Sequence, residues 1–123
     1  MNDHATEKAA YLRSLEALYK DIREWALAAR WMPPWTKKEE ENPKTLSVLF
    51  SDNSGEKFDA PILSVKKMSD IDTRWFSPTA TIGRVEVSGG AISYALILRG
   101  EKWEIENAPN VPLDEKTFSR LIE

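Results

Sequence analysis

No cysteine occurs in the 123 residues. Disulfides, thiolate metal centres and cysteine nucleophiles are excluded together, and a reducing compartment suits such a chain. Histidine is almost missing too. His4 stands alone, in an N-terminal stretch expected to fray into solvent, so neither a histidine-based triad nor a multi-histidine metal site can be built within one chain. Long apolar runs are lacking. Residues 1–10 include Asp3, Glu7 and Lys8, which fits neither a signal peptide nor a membrane span, and the expected location is the cytoplasm. The glycines are few, and Gly83, Gly89 and Gly90 complete neither a GxxxxGK[ST] loop nor a GxGxxG fingerprint.

Charge of one sign is also scarce. The net charge is -3, and residues 1–35 hold five basic and five acidic side chains against seven and nine over 45–107, so no block offers a dense phosphate footprint and nucleic acid is an unlikely partner. Apolar residues make up 41% and charged residues 30%. That balance suits a folded chain with a single core rather than a disordered one.

Tyr11, Leu15, Leu18, Ile22, Trp25 and Ala29 recur at helical spacing and predict an amphipathic helix over 3–31, stopped by Pro33 and Pro34. At 1.5 Å per residue it would be about 40 Å long, against about 35 Å for a compact domain of this size. The helix must span, bend or overhang, and an overhang would favour a homodimer through its apolar stripe. Residues 32–44 read as a proline- and charge-rich linker.

Strand patterns fill 45–107. Leu46, Val48 and Phe50 alternate, Lys57 to Lys67 reads as one extended run with Pro61 marking an edge or a bulge, and 69–78 reads as a loop carrying Trp75 and Phe76. A meander follows: 79–87, a turn at Ser88 to Gly90, 91–98, a turn at Arg99-Gly100, then 101–107. Asp114 is a suitable N-cap for a closing helix over 113–122, with Leu113 and Phe118 as its hydrophobic staple. The expected fold class is α+β: one domain, 1–123, with the long helix packed on an antiparallel sheet of about five strands and a short C-terminal helix.

Three segments resemble a set of short bacterial proteins of no assigned activity: Leu18-Tyr-Lys-Asp-Ile-Arg-Glu-Trp25, Phe58-Asp-Ala-Pro-Ile-Leu-Ser-Val65 and Gly83-Arg-Val-Glu-Val-Ser-Gly89. The similar proteins follow the glycine-arginine-valine run with a tryptophan-bearing strand and a terminal helix, here Trp103 and 114–122. The resemblance implies a single domain of bacterial or phage origin. It carries no functional residue across, and the segment from Trp31 to Trp35 with its charged linker departs from the pattern.

Few residues suggest chemistry. Asp52 to Glu56 looks superficially like a calcium loop, but Pro61 stands where the bidentate glutamate belongs, so a β-turn is expected. Asp70 and Asp72, near Arg74, offer a candidate acid pair for hydrolysis or a hard cation, against the plainer reading of solvated turn residues. No catalytic residue, metal or cofactor is assigned.

Two binding hypotheses remain. The leading one is a non-enzymatic protein-binding module, such as an immunity protein or an antagonist of a toxin or defence protein. Its contacts would be Trp31, Trp35 and Trp75 as aromatic anchors, with Asp70 and Asp72 at the rim for a basic partner. The alternative is a domain that sequesters a small ligand or nucleotide in a pocket between helix and sheet or between subunits. There, Arg84, Arg99 and Lys102 would pair with an anion while Trp103 or Tyr94 stacks. Cross-strand pairing with Glu86, Glu101, Glu104 and Glu106 is the competing reading for those cations. A dry, fully packed interface between helix and sheet would count against the second hypothesis.

Overall fold

The structure, a computed structural model, describes residues 4–32, 44–51, 54–67, 72–89, 92–100, 102–106, 108 and 111–122. The first helix, α1, runs His4–Ala28. Tyr11, Leu15, Leu18, Ile22 and Ala26 follow one another at intervals of three or four and are all buried, which gives the helix its place by apolar burial rather than by local propensity. It ends on Arg30, a non-glycine residue at φ 67°, whose N–H donates to the Leu27 carbonyl at 3.1 Å. This left-handed cap turns the chain before the two prolines, which lie outside the described residues.

The main sheet contains β1 (Trp31–Met32), β4 (Leu63–Lys67), β5 (Thr73–Pro78), β6 (Arg84–Gly89), β7 (Ile92–Arg99) and β8 (Lys102–Ile105), ordered β1-β4-β5-β6-β7-β8. All neighbours are antiparallel. A separate hairpin pairs β2 (Thr45–Leu49) with β3 (Lys57–Pro61), and Leu49 N–H joins it to the sheet through the Ala80 carbonyl at 2.8 Å. The second helix, α2, covers Glu115–Ile122. Asp114 caps it as expected, Oδ1 accepting from Thr117 N–H at 2.9 Å, and that bond holds the carboxyl below the usual carboxylate range. The architecture is therefore α+β with a long first helix and a short last one.

Two extended segments differ from the sequence reading. The run 57–67 divides at Ile62 between two sheets, because Pro61 has no N–H to continue the ladder. Its carbonyl instead accepts the Tyr19 hydroxyl at 2.7 Å, and the same hydroxyl lies 3.0 Å from the Phe76 carbonyl. Burial pushes the Tyr19 phenol far up, with Tyr11 adding to the effect and Arg23 opposing it. The second difference is β5, which occupies most of the expected loop over 69–78 and lies inside the sheet between β4 and β6. Arg74, Phe76 and Pro78 face inward on it.

One apolar cluster joins α1, both sheets and α2. Tyr11, Leu15 and Ile22 from α1 meet Val65, Phe76, Val85 and Leu96 from the sheet and Phe118 and Ile122 from α2. Each such large side chain contributes about 1.5–3 kcal/mol relative to exposure. Tyr11, Leu15, Leu18 and Ile22 of the apolar stripe are buried within the chain, and Trp25 and Ala29 are partly so. The helix start does not overhang. Glu7 accepts from Ser51 N–H at 2.9 Å and from its Oγ at 2.7 Å, while the His4 ring stacks on Phe50 with centroids 4.1 Å apart and Nδ1 sits 2.6 Å from Glu56 Oε2. His4 is thus a half-buried tie to the hairpin, not the frayed residue expected. No helix among the described residues is long and apolar enough to cross a membrane.

Candidate functional site

The tryptophans expected to act together are placed apart. Trp31 is 1% exposed, a core residue beneath the Arg74 guanidinium, 4.9 Å from its ring centre. That burial removes it from any contact face and corrects its assignment as a partner anchor. Trp75 is 39% exposed on the outer side of β5, with Lys44 Nζ 6.0 Å from its ring. Trp35 and Asp70 lie outside the described residues. Asp72 is occupied locally, its Oδ1 3.7 Å from Arg74 Nη1.

Arg74 itself is buried and donates through Nε to the Ile122 carbonyl at 2.9 Å and through Nη1 to the Thr73 carbonyl at 3.3 Å. It closes the C-terminal end of α2 onto β5 and satisfies a helix-end carbonyl that would otherwise be orphaned. Gly89 permits that arrangement. A Cβ there would stand 2.2 Å from the Thr73 carbonyl oxygen, and its φ of 135° is one that side chains resist.

The proposed cationic ligand set is likewise divided. In the antiparallel register Arg84 opposes Ile97, Ile97 opposes Glu104, and Arg99 opposes Lys102, so these residues share one face. Trp103 and Tyr94 oppose Leu98 and Val87 on the other. Arg84 forms an ion pair with Glu106, and Arg99 Nε lies 3.0 Å from Glu104 Oε2 without good hydrogen-bond alignment. Cross-strand pairing therefore occupies both arginines. Arg84 and Tyr94 do border one shallow depression of about 240 Å³, but Glu86 and Glu106 line it too, which makes it a poor anion site.

The large concavity lies elsewhere, between α1 and the β8 side of the sheet. It is a half-open groove of about 1130 Å³ walled by Tyr11, Ser14, Leu18 and Trp25 on the helix and by Gly83, Leu98, Lys102 and Trp103 opposite, with Val111, Pro112 and Leu113 also lining it. From Glu7 to Trp25 the helical wall is about 27 Å long at 1.5 Å per residue. Trp103 bridges it, its Nε1–H donating to the Ser14 carbonyl at 3.1 Å. Arg13, Asp21 and Lys102 reach the same groove, with no ion-pair partner among the described residues. Its lining is mixed, apolar in the walls and charged at the rim, as expected of a site that holds an amphipathic molecule.

At the inner end stands Tyr11. Its ring touches Phe58 edge-on with centroids 5.9 Å apart and approaches Trp103 at 6.3 Å. The residue is 3% exposed, and among the described residues its hydroxyl has no hydrogen-bond partner. The Gly83 N–H approaches the oxygen without reaching good hydrogen-bond geometry, and burial pushes the phenol up to about 12. Sequence periodicity marks Tyr11 as a core position; the one available signal of more was a tyrosine where phenylalanine would pack as well. Among the described residues no three of the histidine, aspartate and glutamate side chains gather into a metal-binding group.

Comparison of the chain with known protein families, with curated proteins and with solved structures finds no match.

Proposed function

We propose that this chain is a non-enzymatic, cytoplasmic binding domain that holds a small, largely apolar molecule in the groove between α1 and β8. The observation that carries the reading is the groove itself. Beside the packed core that joins α1 to the sheet, a half-open space of about 1130 Å³ remains, walled by Tyr11, Trp25 and Trp103. Pockets that hold drug-sized ligands measure about 300–1,000 Å³. A nucleotide is disfavoured because both sheet arginines, Arg84 and Arg99, face carboxylates.

The test uses N-phenyl-1-naphthylamine, an uncharged probe whose emission rises in apolar surroundings. Saturable one-to-one binding to the wild-type chain is expected, together with its loss in Ala17→Trp, since Ala17 lines the groove and is exposed. Binding unchanged by that substitution would refute the assignment.

A second reading keeps the chain as a protein-binding module, an immunity protein or antagonist of bacterial or phage origin. It is favoured by one observation, the exposure of Trp75 close to Lys44, with Leu46 also 43% exposed on the neighbouring hairpin. Trp75 is then the only described member of the original aromatic trio left to serve as an anchor.

A further inference from the structure

A phenol hydroxyl enclosed in a core costs about 1–3 kcal/mol when it lacks partners, and phenylalanine would fill the Tyr11 position without that cost. The chain carries the hydroxyl nonetheless. Its surroundings define what is missing. The Gly83 N–H stands on the oxygen side, and among the described residues no group accepts the hydroxyl proton. Tyr11 is one of the side chains that wall the groove, beside Gly83, Leu98 and Trp103. The other buried tyrosine makes the contrast, since the Tyr19 hydroxyl is placed on two carbonyls, those of Pro61 and Phe76.

We infer that the inner end of the groove is a polar recognition point, where Tyr11 donates its hydroxyl proton to a carbonyl or carboxylate oxygen at the tip of an otherwise apolar, flat ligand. Resting on the groove reading given above, the inference adds the ligand's chemical class: an amphipathic molecule entering acceptor first, its body lying along Trp103, Leu18 and Trp25. The hydroxyl is covered, so the acceptor can enter only if the half-buried Ile82–Gly83 turn, which lines the groove with it, yields. A ligand without an acceptor leaves the hydroxyl as it was and gains nothing from it.

Two fluorescent naphthalenes separate these features. Prodan carries a ketone oxygen whose hydrogen bonding shifts its emission, and N-phenyl-1-naphthylamine carries no oxygen. Both are titrated into wild-type protein and Tyr11→Phe, and the melting temperature of each protein is recorded. Loss of one neutral hydrogen bond predicts a weakening of prodan by about fivefold in Tyr11→Phe, loss of its hydrogen-bonded emission, an unchanged affinity for N-phenyl-1-naphthylamine, and a melting temperature equal to or above wild type. Equal effects on both probes, no effect on either, or a lowered melting temperature would each overturn the inference, the last by showing the hydroxyl to be structural. In all three cases binding of N-phenyl-1-naphthylamine to the wild-type groove would leave the broader reading intact. If neither probe binds the wild-type chain, that broader reading falls as well.

Discussion

The Arg74 guanidinium lies over the ring of Trp31, 4.9 Å from its centre, while its Nε–H holds the last turn of α2 through the Ile122 carbonyl at 2.9 Å. One side chain therefore links three elements that are far apart in sequence: β1, β5 and α2. A buried cation is tolerable here because aromatic, carbonyl and carboxylate groups surround it. Trp31→Ala should cost about 3–5 kcal/mol and Arg74→Met about 2 kcal/mol, the latter by stranding the Ile122 carbonyl. Urea unfolding of both variants checks the order, and a neutral Arg74→Met would show that the contact contributes little.

Gly89 is predicted to be irreplaceable by alanine. With a Cβ only 2.2 Å from the Thr73 carbonyl oxygen, Gly89→Ala forces β5 and β6 apart where Arg74 is held, and more than about 1 kcal/mol should be lost. Gly100, also at positive φ but with open space around it, serves as the control. Parallel thermal melts should rank Gly89→Ala below Gly100→Ala.

How legible was this in the sequence? The helix face and the Asp114 cap were readable because each repeats a local rule, apolar spacing in one case and a short polar side chain before a helix in the other. β5 was not. Its inward positions are Arg74, Phe76 and Pro78, and a charged residue followed by an aromatic and a proline does not display the alternation of a buried strand. Arg74 becomes an inward residue only when Trp31 and the end of α2 arrive from elsewhere in the chain. Trp31 was misassigned for the same reason, since its burial is decided by β4 and β5 and not by its neighbours. The groove was legible in part: a pocket between helix and sheet was expected, and Lys102 and Trp103 of the residues named for it line the groove, whereas Arg84, Arg99 and Tyr94 do not. Tyr11 and Trp25 read only as members of a helical apolar stripe, so nothing in their spacing marked the space beside them.

Alkaline pH should destabilise the protein through its buried phenols. Tyr11 has its pKa raised to about 12, and Tyr19 is raised further. In the unfolded chain both ionise near the ordinary value of 10.0, so their full contribution is present below that pH and is lost as pH rises through the folded values. Between pH 10 and 12 the unfolding free energy should fall by about 1.4 kcal/mol per pH unit for each tyrosine. Tyr11→Phe should remove one share of that slope, and chemical denaturation at several pH values reads it directly.

Acid should act on α2. The Asp114 carboxyl is held below its usual range, first by the Thr117 N–H, so the stability it adds is present at neutral pH and disappears as pH falls through the lowered value. Asp114→Ala should fray α2 at neutral pH and show a smaller further loss in acid. Hydrogen exchange at the Thr117 and Phe118 amides follows both effects.

The two binding readings are separated most directly by the tryptophan side-chain N–H resonances of the intact protein, recorded while N-phenyl-1-naphthylamine is added. A ligand seated between α1 and β8 predicts displacement of the Trp25 and Trp103 signals with those of Trp31 and Trp75 unmoved. Movement of Trp75 with Trp25 and Trp103 stationary would contradict the groove as the site.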